Sequence, residues 1–507
     1  MKCMCIYTAD PFSNADLSIS TADTPLQSLL FIPFGISYIA TSLEKAGYPV
    51  RLLVLLEQEE SVERLIAELD THRPELVCLT AVSSKYHFVR RLAKAIRLRS
   101  PDSFILIGGN HATLNPESVV TEDRFDAICV GEGEKAVVEV ADQLAGGRRP
   151  SGINNLWIRN GNEIQRNPQD PFNEDLDSLP HIDRALWDEW VSDKGVPSLL
   201  LGRGCPNRCA YCSNHALSRV ARGKWLRLRT PRDIVKELVE LDQQYPDIHT
   251  VYLEVETFNA IPGYAFQLCD QLETFNADRH RPLHFGVNMC VQRNMPHIED
   301  LLRAMKRANF RFVNVGLESG SERIRRDVLR RPEYTNDQFL EFSDIVRRNG
   351  MDLNVYVLLG VPEETVQDVR ATIDILKKCN PSALVPSVFY PYPGTDLFQR
   401  TVDMGLIKEE RFLKENQERF RARIDYPDLS RWQIQWFLLT LFYRVYAGRW
   451  PWRKRVFMTF FSILYVYPGL RFLQPKSLRS TFLEYARKLR NYFVRPFRTQ
   501  GNGSHLR

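Results

Sequence analysis

Gly202-Arg-Gly-Cys-Pro-Asn-Arg-Cys-Ala-Tyr-Cys-Ser-Asn214 is the stretch from which the rest of the chain can be read. It sets Cys205, Cys209 and Cys212 in a C-x3-C-x2-C triplet. Thiolates this close can converge on one soft metal centre, an iron–sulfur cluster or zinc. Structural zinc needs a fourth ligand, usually from a second C-x2-C pair, and this chain has no second pair. His215 follows the third cysteine too closely to complete a standard finger. A [4Fe–4S] cluster on three cysteines keeps one iron open, as catalytic metal sites do and structural ones do not.

Upstream of the triplet, residues 1–146 alternate strand and helix signals. Apolar runs at Cys3–Thr8, Val50–Leu56, Leu76–Val82, Phe104–Gly109 and Phe125–Val130 predict five strands. Helical spacing lies between them, at Phe34–Ala46, Ser61–Asp70 and Tyr86–Arg99, and again after Gly131-Glu132-Gly133-Glu134. Runs apolar on both faces, separated by helices, predict a doubly wound parallel sheet. Ligands of such sheets sit beyond the carboxyl ends of the strands. Thr80, Ser83, Gly108, Gly109, His111, Gly131, Glu132 and Gly133 fall at those ends and are the candidate contacts. Residues 147–195 read as a connector, with an Asn160-Gly161 hairpin signal and an acidic, proline-bearing crossing.

From 196 to 415, six strand–helix units recur and predict a partial (β/α)6 barrel, so catalytic groups should crowd the carboxyl ends of its strands. Those ends are polar. Glu254 and Glu256 take alternate positions of one strand and face the same way. An inward carboxylate pair is costly unless it binds something. Glu318 in Gly-Leu-Glu-Ser-Gly, Gly360 after Tyr356-Val-Leu-Leu, and Tyr390 in Tyr-Pro-Tyr-Pro-Gly-Thr mark three further ends.

Composition is that of a globular protein, 44% hydrophobic and 25% charged. Ten cysteines over 507 residues do not read as a disulfide framework. No signal peptide is legible at Met1, so a reducing, cytoplasmic setting is expected. Charge is uneven. From Arg431 to Arg507, 15 Lys plus Arg stand against Glu484 alone, a net +14, which leaves −9 for the rest of a chain whose total is +5. This basic, aromatic section, 416–507, lacks the alternation and reads as a mainly helical extension. Val456–Tyr467 is too short to span a bilayer and ends at Pro468-Gly469. Basic residues around it, Arg453 to Arg455 and Arg471, suit an interfacial helix at the inner face of an anionic membrane. A helical cap on the barrel with a solvated basic face is the competing reading. Nucleic acid ranks last, since no binding motif is present.

The triplet with Tyr211 in its aromatic slot resembles the cluster motif of radical S-adenosylmethionine (SAM) enzymes. The strings at 107–113 and 125–134, with Pro33 to Tyr48, are similar to the cobalamin-binding domain that precedes many radical SAM cores. Together the resemblance to cobalamin-dependent radical SAM enzymes spans about 410 of 507 residues. It implies a [4Fe–4S] cluster on Cys205, Cys209 and Cys212, whose open iron chelates SAM. It further implies SAM contacts at Tyr211, Glu254, Glu256, Glu318, Gly360 and Tyr390, and cobalamin beyond the first sheet. The Asp-x-His-x-x-Gly loop of other cobalamin proteins is missing, and Thr8-Ala-Asp-Pro-Phe12 has no histidine, so no axial histidine is implied below cobalt. His111 and His87 are read as tail contacts or solvent-facing groups.

The chemistry implied is methylation of an unactivated carbon, with an external electron donor and a small-molecule substrate. A lipid, isoprenoid or tetrapyrrole is favoured weakly over a soluble intermediate. The alternatives are a cyclase, oxidase or rearrangement enzyme on the same modules and, in another class, a non-catalytic cobalamin or redox sensor.

Overall fold

The computed structural model describes residues 1–9, 26–58, 60–277, 279–407 and 420–466. Asp10 to Phe12, Tyr467, Pro468-Gly469 and Arg471 lie outside the described residues, as does the expected boundary at 415. Five strands begin the first sheet: β1 (Cys3–Ala9), β2 (Val50–Leu56), β3 (Leu76–Thr80), β4 (Phe104–Gly108) and β5 (Ala127–Cys129). They are parallel, in the order β2-β1-β3-β4-β5. Helices Phe34–Lys45 and Glu134–Ala145 pack together, as do Glu60–His72 and Tyr86–Arg99. This is the doubly wound arrangement expected, and it explains why β1 and the second half of β2 are almost wholly buried. Strand order reverses between β1 and β3, which opens a crevice beyond their carboxyl ends.

The hairpin β6 (Leu156–Asn160) and β7 (Glu163–Arg166) does not stand apart as a connector. β6 pairs antiparallel with β5, so the hairpin extends the first sheet. It satisfies backbone groups that β5 would otherwise leave open at its edge.

The second sheet holds β8 (Ser198–Leu200), β9 (Thr250–Glu254), β10 (His284–Met289), β11 (Phe310–Glu318), β12 (Asp352–Leu359) and β13 (Ala383–Val388). They are parallel and neighbours in chain order, giving the open six-stranded barrel. Local signals place its helices. Thr230, Thr335 and Thr365 cap the helices Pro231–Gln244, Asn336–Arg348 and Val366–Cys379, and the Thr335 and Thr365 N–H groups donate back to the Gln338 and Asp368 side chains. Inside the barrel, Asn288, Asn314 and Asn354 stand in register on neighbouring strands. Asn354 donates to Asn314 at 2.9 Å and Asn314 to the Tyr252 hydroxyl at 3.0 Å, a buried polar belt that leaves only Asn354 Oδ1 without a partner among the described residues.

Between the sheets, buried Arg184 donates to Glu237 at 2.7 Å and to the Ser198 carbonyl at 2.7 Å, tying the crossing segment to the barrel. After the barrel, helix Arg431–Val445 packs on Val366–Cys379 and β13, and helix Trp452–Val466 packs on Arg431–Val445. The helix Arg431–Val445 thus caps the barrel along its inner face. No helix among the described residues is long and apolar enough to cross a membrane.

Candidate active site

The cysteine loop is delivered by a tight passage. β8 ends at Leu200, and Gly202–Arg203 then pairs antiparallel with Arg227–Leu228. Gly204 takes φ +90°, and a Cβ there would lie 2.2 Å from the Trp225 carbonyl oxygen, so only glycine passes. Cys205 and Cys212 are half-buried and Cys209 buried. The loop is pinned from two sides. The Ala210 N–H donates to the Leu329 carbonyl at 2.9 Å, and the Leu397 N–H to the Ala210 carbonyl at 2.9 Å. Burial pushes the Cys209 and Cys212 thiols up to about 12, so iron must displace their protons on binding. Three soft sulfurs on one pinned loop, with no second C-x2-C pair in the sequence to complete a structural zinc site, fit a cluster.

Tyr211 points to the end of β11. Its hydroxyl donates to Glu318 Oε1 at 3.1 Å and accepts from Arg331 Nη1 at 2.8 Å. Arg331 Nη2 also donates to the Gly316 carbonyl at 2.8 Å. Glu318 sits in the left-handed region at φ +60°, where the pairing of β11 with β12 skips a residue. Its carboxylate folds back over Gly316, where a Cβ would lie 2.3 Å from Oε1. A strained backbone at a strand end, held by a buried cation, is a mark of a functional position. Burial pushes the Glu318 carboxyl up, against the pull of Arg331 and Tyr211.

The two sheets face each other across a cavity of about 600 Å³. From the first sheet it is lined by Thr80, Gly108, Gly109, Gly131, Glu132 and Gly133. From the barrel it is lined by Glu254 and Glu256, and by Ser213 and Asn214 at the end of the cysteine loop. Gly109 has φ +90° and leaves no room for a Cβ, which would meet Thr80 Oγ1 at 2.5 Å. That glycine packs the loop on the end of β3, while Gly108, Gly131 and Gly133 beside it keep long side chains off this wall, which suits a large flat ligand such as a corrin. Ser83 and His111 are not brought to this rim. They lie beneath it, with His111 Nδ1 3.0 Å from Ser83 Oγ and its ring 4.1 Å from the Tyr86 ring. Burial pushes the His111 pKa down to about 4, so the ring is neutral. His111 Nε2 and the Tyr86 hydroxyl are buried without a hydrogen-bond partner among the described residues. His87, by contrast, pairs with Glu57 at 2.5 Å.

Residues 199–376 match the radical SAM superfamily and residues 29–141 the B12-binding domain. The chain belongs to the B12-binding radical SAM enzymes. It is 26% identical to the uncharacterized methyltransferase PH0819 of Pyrococcus horikoshii over 380 residues, 74% of this chain and 79% of that protein. It is 24% identical to the anaerobic magnesium-protoporphyrin IX monomethyl ester cyclase of Rubrivivax gelatinosus over 381 residues, 73% of this chain and 66% of that one. Its fold is that of the radical SAM methyltransferase TsrM from Kitasatospora setae, solved with tryptophan and a SAM analogue. That likeness has a TM-score of 0.64 at 20% identity, over 80% of this chain and 76% of TsrM.

In this B12-binding radical SAM enzyme the two domains are joined by ion pairs at the cavity wall. Glu132 accepts from Arg203 Nη1 at 2.9 Å and from Arg227 Nη1 at 3.0 Å, and Arg203 also pairs with Glu134. Burial works to raise Glu132, but the two guanidinium groups overcome it and hold the carboxyl below its usual range. Glu132 therefore spends its carboxylate on the radical SAM domain. Glu254 and Glu256 have no cationic partner among the described residues. Burial, helped by the Glu256 charge, pushes Glu254 up to about 8. Burial also raises Glu256, against a 2.7 Å hydrogen bond from Asn214. Glu256 lies past the end of β9 yet keeps the same side as Glu254.

Gly360 and Tyr390 are not brought to the cavity. Gly360 faces the C-terminal cap, where a Cβ would lie 2.8 Å from Ile434 Cδ1. Tyr390 is buried with its ring 5.1 Å from that of Tyr392. Sequence reasoning passed over Arg203, Arg227, Arg331 and Cys290, a fourth thiol that accepts from Asn207 of the cysteine loop at 3.5 Å. Arg203 stands between two glycines just before Cys205, which could have flagged it. Arg331 closes a run of arginines that reads as a solvated face. A π-helical turn at Ile324–Val328 precedes it, a feature frequent at functional sites.

Proposed function

We propose that the chain is a cobalamin-dependent radical SAM methyltransferase acting on an unactivated carbon of a small, largely apolar substrate. The observation that supports this most is the single cavity with the glycine rim on one wall and the end of the cysteine loop, with Glu254 and Glu256, on the other. Bound there, the cofactors would supply a transferable methyl group and a 5′-deoxyadenosyl radical able to take hydrogen from carbon. The protein's part is placement. Cys205, Cys209 and Cys212 hold iron, and the Tyr211–Glu318–Arg331 group borders the SAM side. Ile36, Ile39, Leu217 and Val220 make part of the cavity wall apolar. Glu254, protonated near neutral pH, offers the substrate a hydrogen-bond donor without adding a charge.

Electrons come from an external donor in this reading, and a lipid, isoprenoid or tetrapyrrole suits the apolar wall. The C-terminal extension is taken as the part that meets a membrane. A cyclase reading is favoured by the similarity to the protoporphyrin ester cyclase, and methyl balance separates the two. The test is anaerobic: reconstitute iron, sulfide and cobalamin, add SAM with a deuterated methyl group and a strong reductant, and follow products by mass spectrometry. Methyl transfer predicts 5′-deoxyadenosine together with S-adenosylhomocysteine, and label on cobalt or substrate. Deoxyadenosine without homocysteine product, once substrate is supplied, would replace the methyltransferase reading by the cyclase one. Neither product, with Cys209→Ala indistinguishable from the parent, would remove the enzyme reading altogether.

A further inference from the structure

Helix Arg431–Val445 is apolar on both sides. Ile434, Phe437, Leu438, Leu441, Phe442 and Val445 are buried against the barrel. The opposite stripe, at i, i+4, i+7 and i+11, is Trp432, Trp436, Leu439 and Tyr443. Trp432 is 71% exposed and Trp436 59%. Helix Trp452–Val466 adds a second stripe, with Trp452 61%, Val456 47% and Phe460 42% exposed. Leu439 is partly buried on the core and Tyr443 lies under Arg455, so it is the indoles of Trp432, Trp436 and Trp452, with Val456 and Phe460, that no apolar neighbour covers among the described residues. Two large indoles standing in water at positions one turn apart do nothing for the fold.

The charge around the stripes indicates what covers them. Between Arg431 and Val466 there are six cations, Arg431, Arg444, Arg449, Arg453, Lys454 and Arg455, and no acidic residue. Several lie over the aromatic rings themselves: Arg431 over Trp432 at 5.6 Å, Arg453 over Trp452 at 5.7 Å and Arg455 over Tyr443 at 4.4 Å. An apolar protein groove would be met by such a surface only if its rim were strongly acidic. A bilayer bearing anionic headgroups supplies both halves at once, acyl boundary for the indoles and phosphate for the guanidinium groups. Neither helix is long and apolar enough to cross, so the contact is one of lying on the surface.

We propose that the outer face of these two helices docks the enzyme on an anionic lipid bilayer, with Trp432, Trp436 and Trp452 inserted at the headgroup boundary. This rests on the reading of the extension as the membrane-facing part and commits it to a face, a set of anchors and a lipid charge. It is independent of the chemistry in the cavity.

The experiment takes the full-length reconstituted protein and co-sediments it with vesicles of phosphatidylcholine, with and without phosphatidylglycerol. Binding is expected on the phosphatidylglycerol vesicles, weakened by salt, and poor on phosphatidylcholine alone. The Trp432→Ser, Trp436→Ser double variant should lose on the order of tenfold or more in partitioning. Both side chains are exposed, so its circular dichroism, melting midpoint and SAM cleavage should match the parent. Binding left unchanged by this variant would overturn the proposal, since attraction to the basic chain beyond Val466 would then carry the contact. Equal binding to neutral vesicles would overturn the lipid charge. Self-association abolished by the variant, with no vesicle binding in the parent, would assign the face to a second copy instead. SAM cleavage absent from the parent would strike the functional reading and leave this one standing.

Discussion

Two pairs of glutamates line one cavity from opposite walls. Glu132 and Glu134, on the glycine rim, are saturated by Arg203 and Arg227. Glu254 and Glu256, at the end of β9, have Asn214 and each other. Glu132 is lowered by its two cations, and Glu254 and Glu256 are raised by burial. The same residue type at the same cavity is thus set to opposite tasks. Carboxylates whose charge is fully matched hold two domains in register. Carboxylates left unmatched store an unfavourable state that a ligand can relieve. The arginines matter for more than charge. Arg203 lies over the Tyr38 ring at 5.1 Å, and Arg227 lies over Phe172 at 5.0 Å and Trp225 at 5.7 Å, so each guanidinium also fills the seam.

The largest effect should come from breaking the matched pair. Arg203→Leu leaves Glu134 without its cation and Glu132 with Arg227 alone, and should cost about 3 kcal/mol in stability. Urea unfolding of the ligand-free protein measures it, and a loss below about 1 kcal/mol would mean that the pairs are not the seam's main tie. Glu132→Gln should cost less, about 2 kcal/mol at neutral pH, because the amide oxygen still accepts while the charge is gone.

Glu132 and Glu254 should also have opposite pH signatures. Glu132 has a folded pKa below its unfolded one, so its contribution is present above the unfolded value and is lost as pH falls through the folded value. Glu254 has a folded pKa of about 8, above its unfolded one. Its burial is tolerated while protonated, and stability is lost as pH rises from about 4.5 towards 8. Glu132→Gln should therefore flatten the acid limb of the melting curve against pH and leave the alkaline limb alone. Glu254→Gln should raise the melting midpoint above pH 7, with the gain vanishing near pH 4.5. A Glu254→Gln variant with no gain at alkaline pH would show that the carboxyl finds a partner in solution.

The strands, the barrel and the cysteine triplet were legible because each is written locally, in alternation, in caps and in close spacing. Glu254 and Glu256 were legible for the same reason, two positions apart on one strand. The ion pairs of Glu132 were not legible because its partners lie 71 and 95 residues away, and no local signal reports an ion pair across domains. Arg331 was missed because a run of arginines looks solvated until a π-helical turn and a left-handed Glu318 bring one of them inside. The β6–β7 hairpin was recognised as a hairpin but not as sheet edge, since register with β5 is a tertiary fact. Gly360 was placed at its turn correctly, while the neighbour that forbids a side chain there, Ile434, comes from the far end of the chain.

The smallest expected effect decides what the unmatched pair is for. Glu256→Gln keeps an oxygen for Asn214 Nδ2 and removes a charge that burial already disfavours. Its stability should stay within about 1 kcal/mol of the parent across neutral pH. If the pair exists to meet a ligand cation, the same change should weaken SAM binding at least tenfold by isothermal titration, a loss of about 1.4 kcal/mol. Glu254→Gln, which mimics the protonated form already present, should leave that affinity nearly intact. A small change in stability beside a large change in affinity, at Glu256 and not at Glu254, divides the pair into one carboxylate that meets charge and one acid that donates. Equal losses at both positions would make them a single anionic site, and the contrast between the two walls would then be one of charge alone.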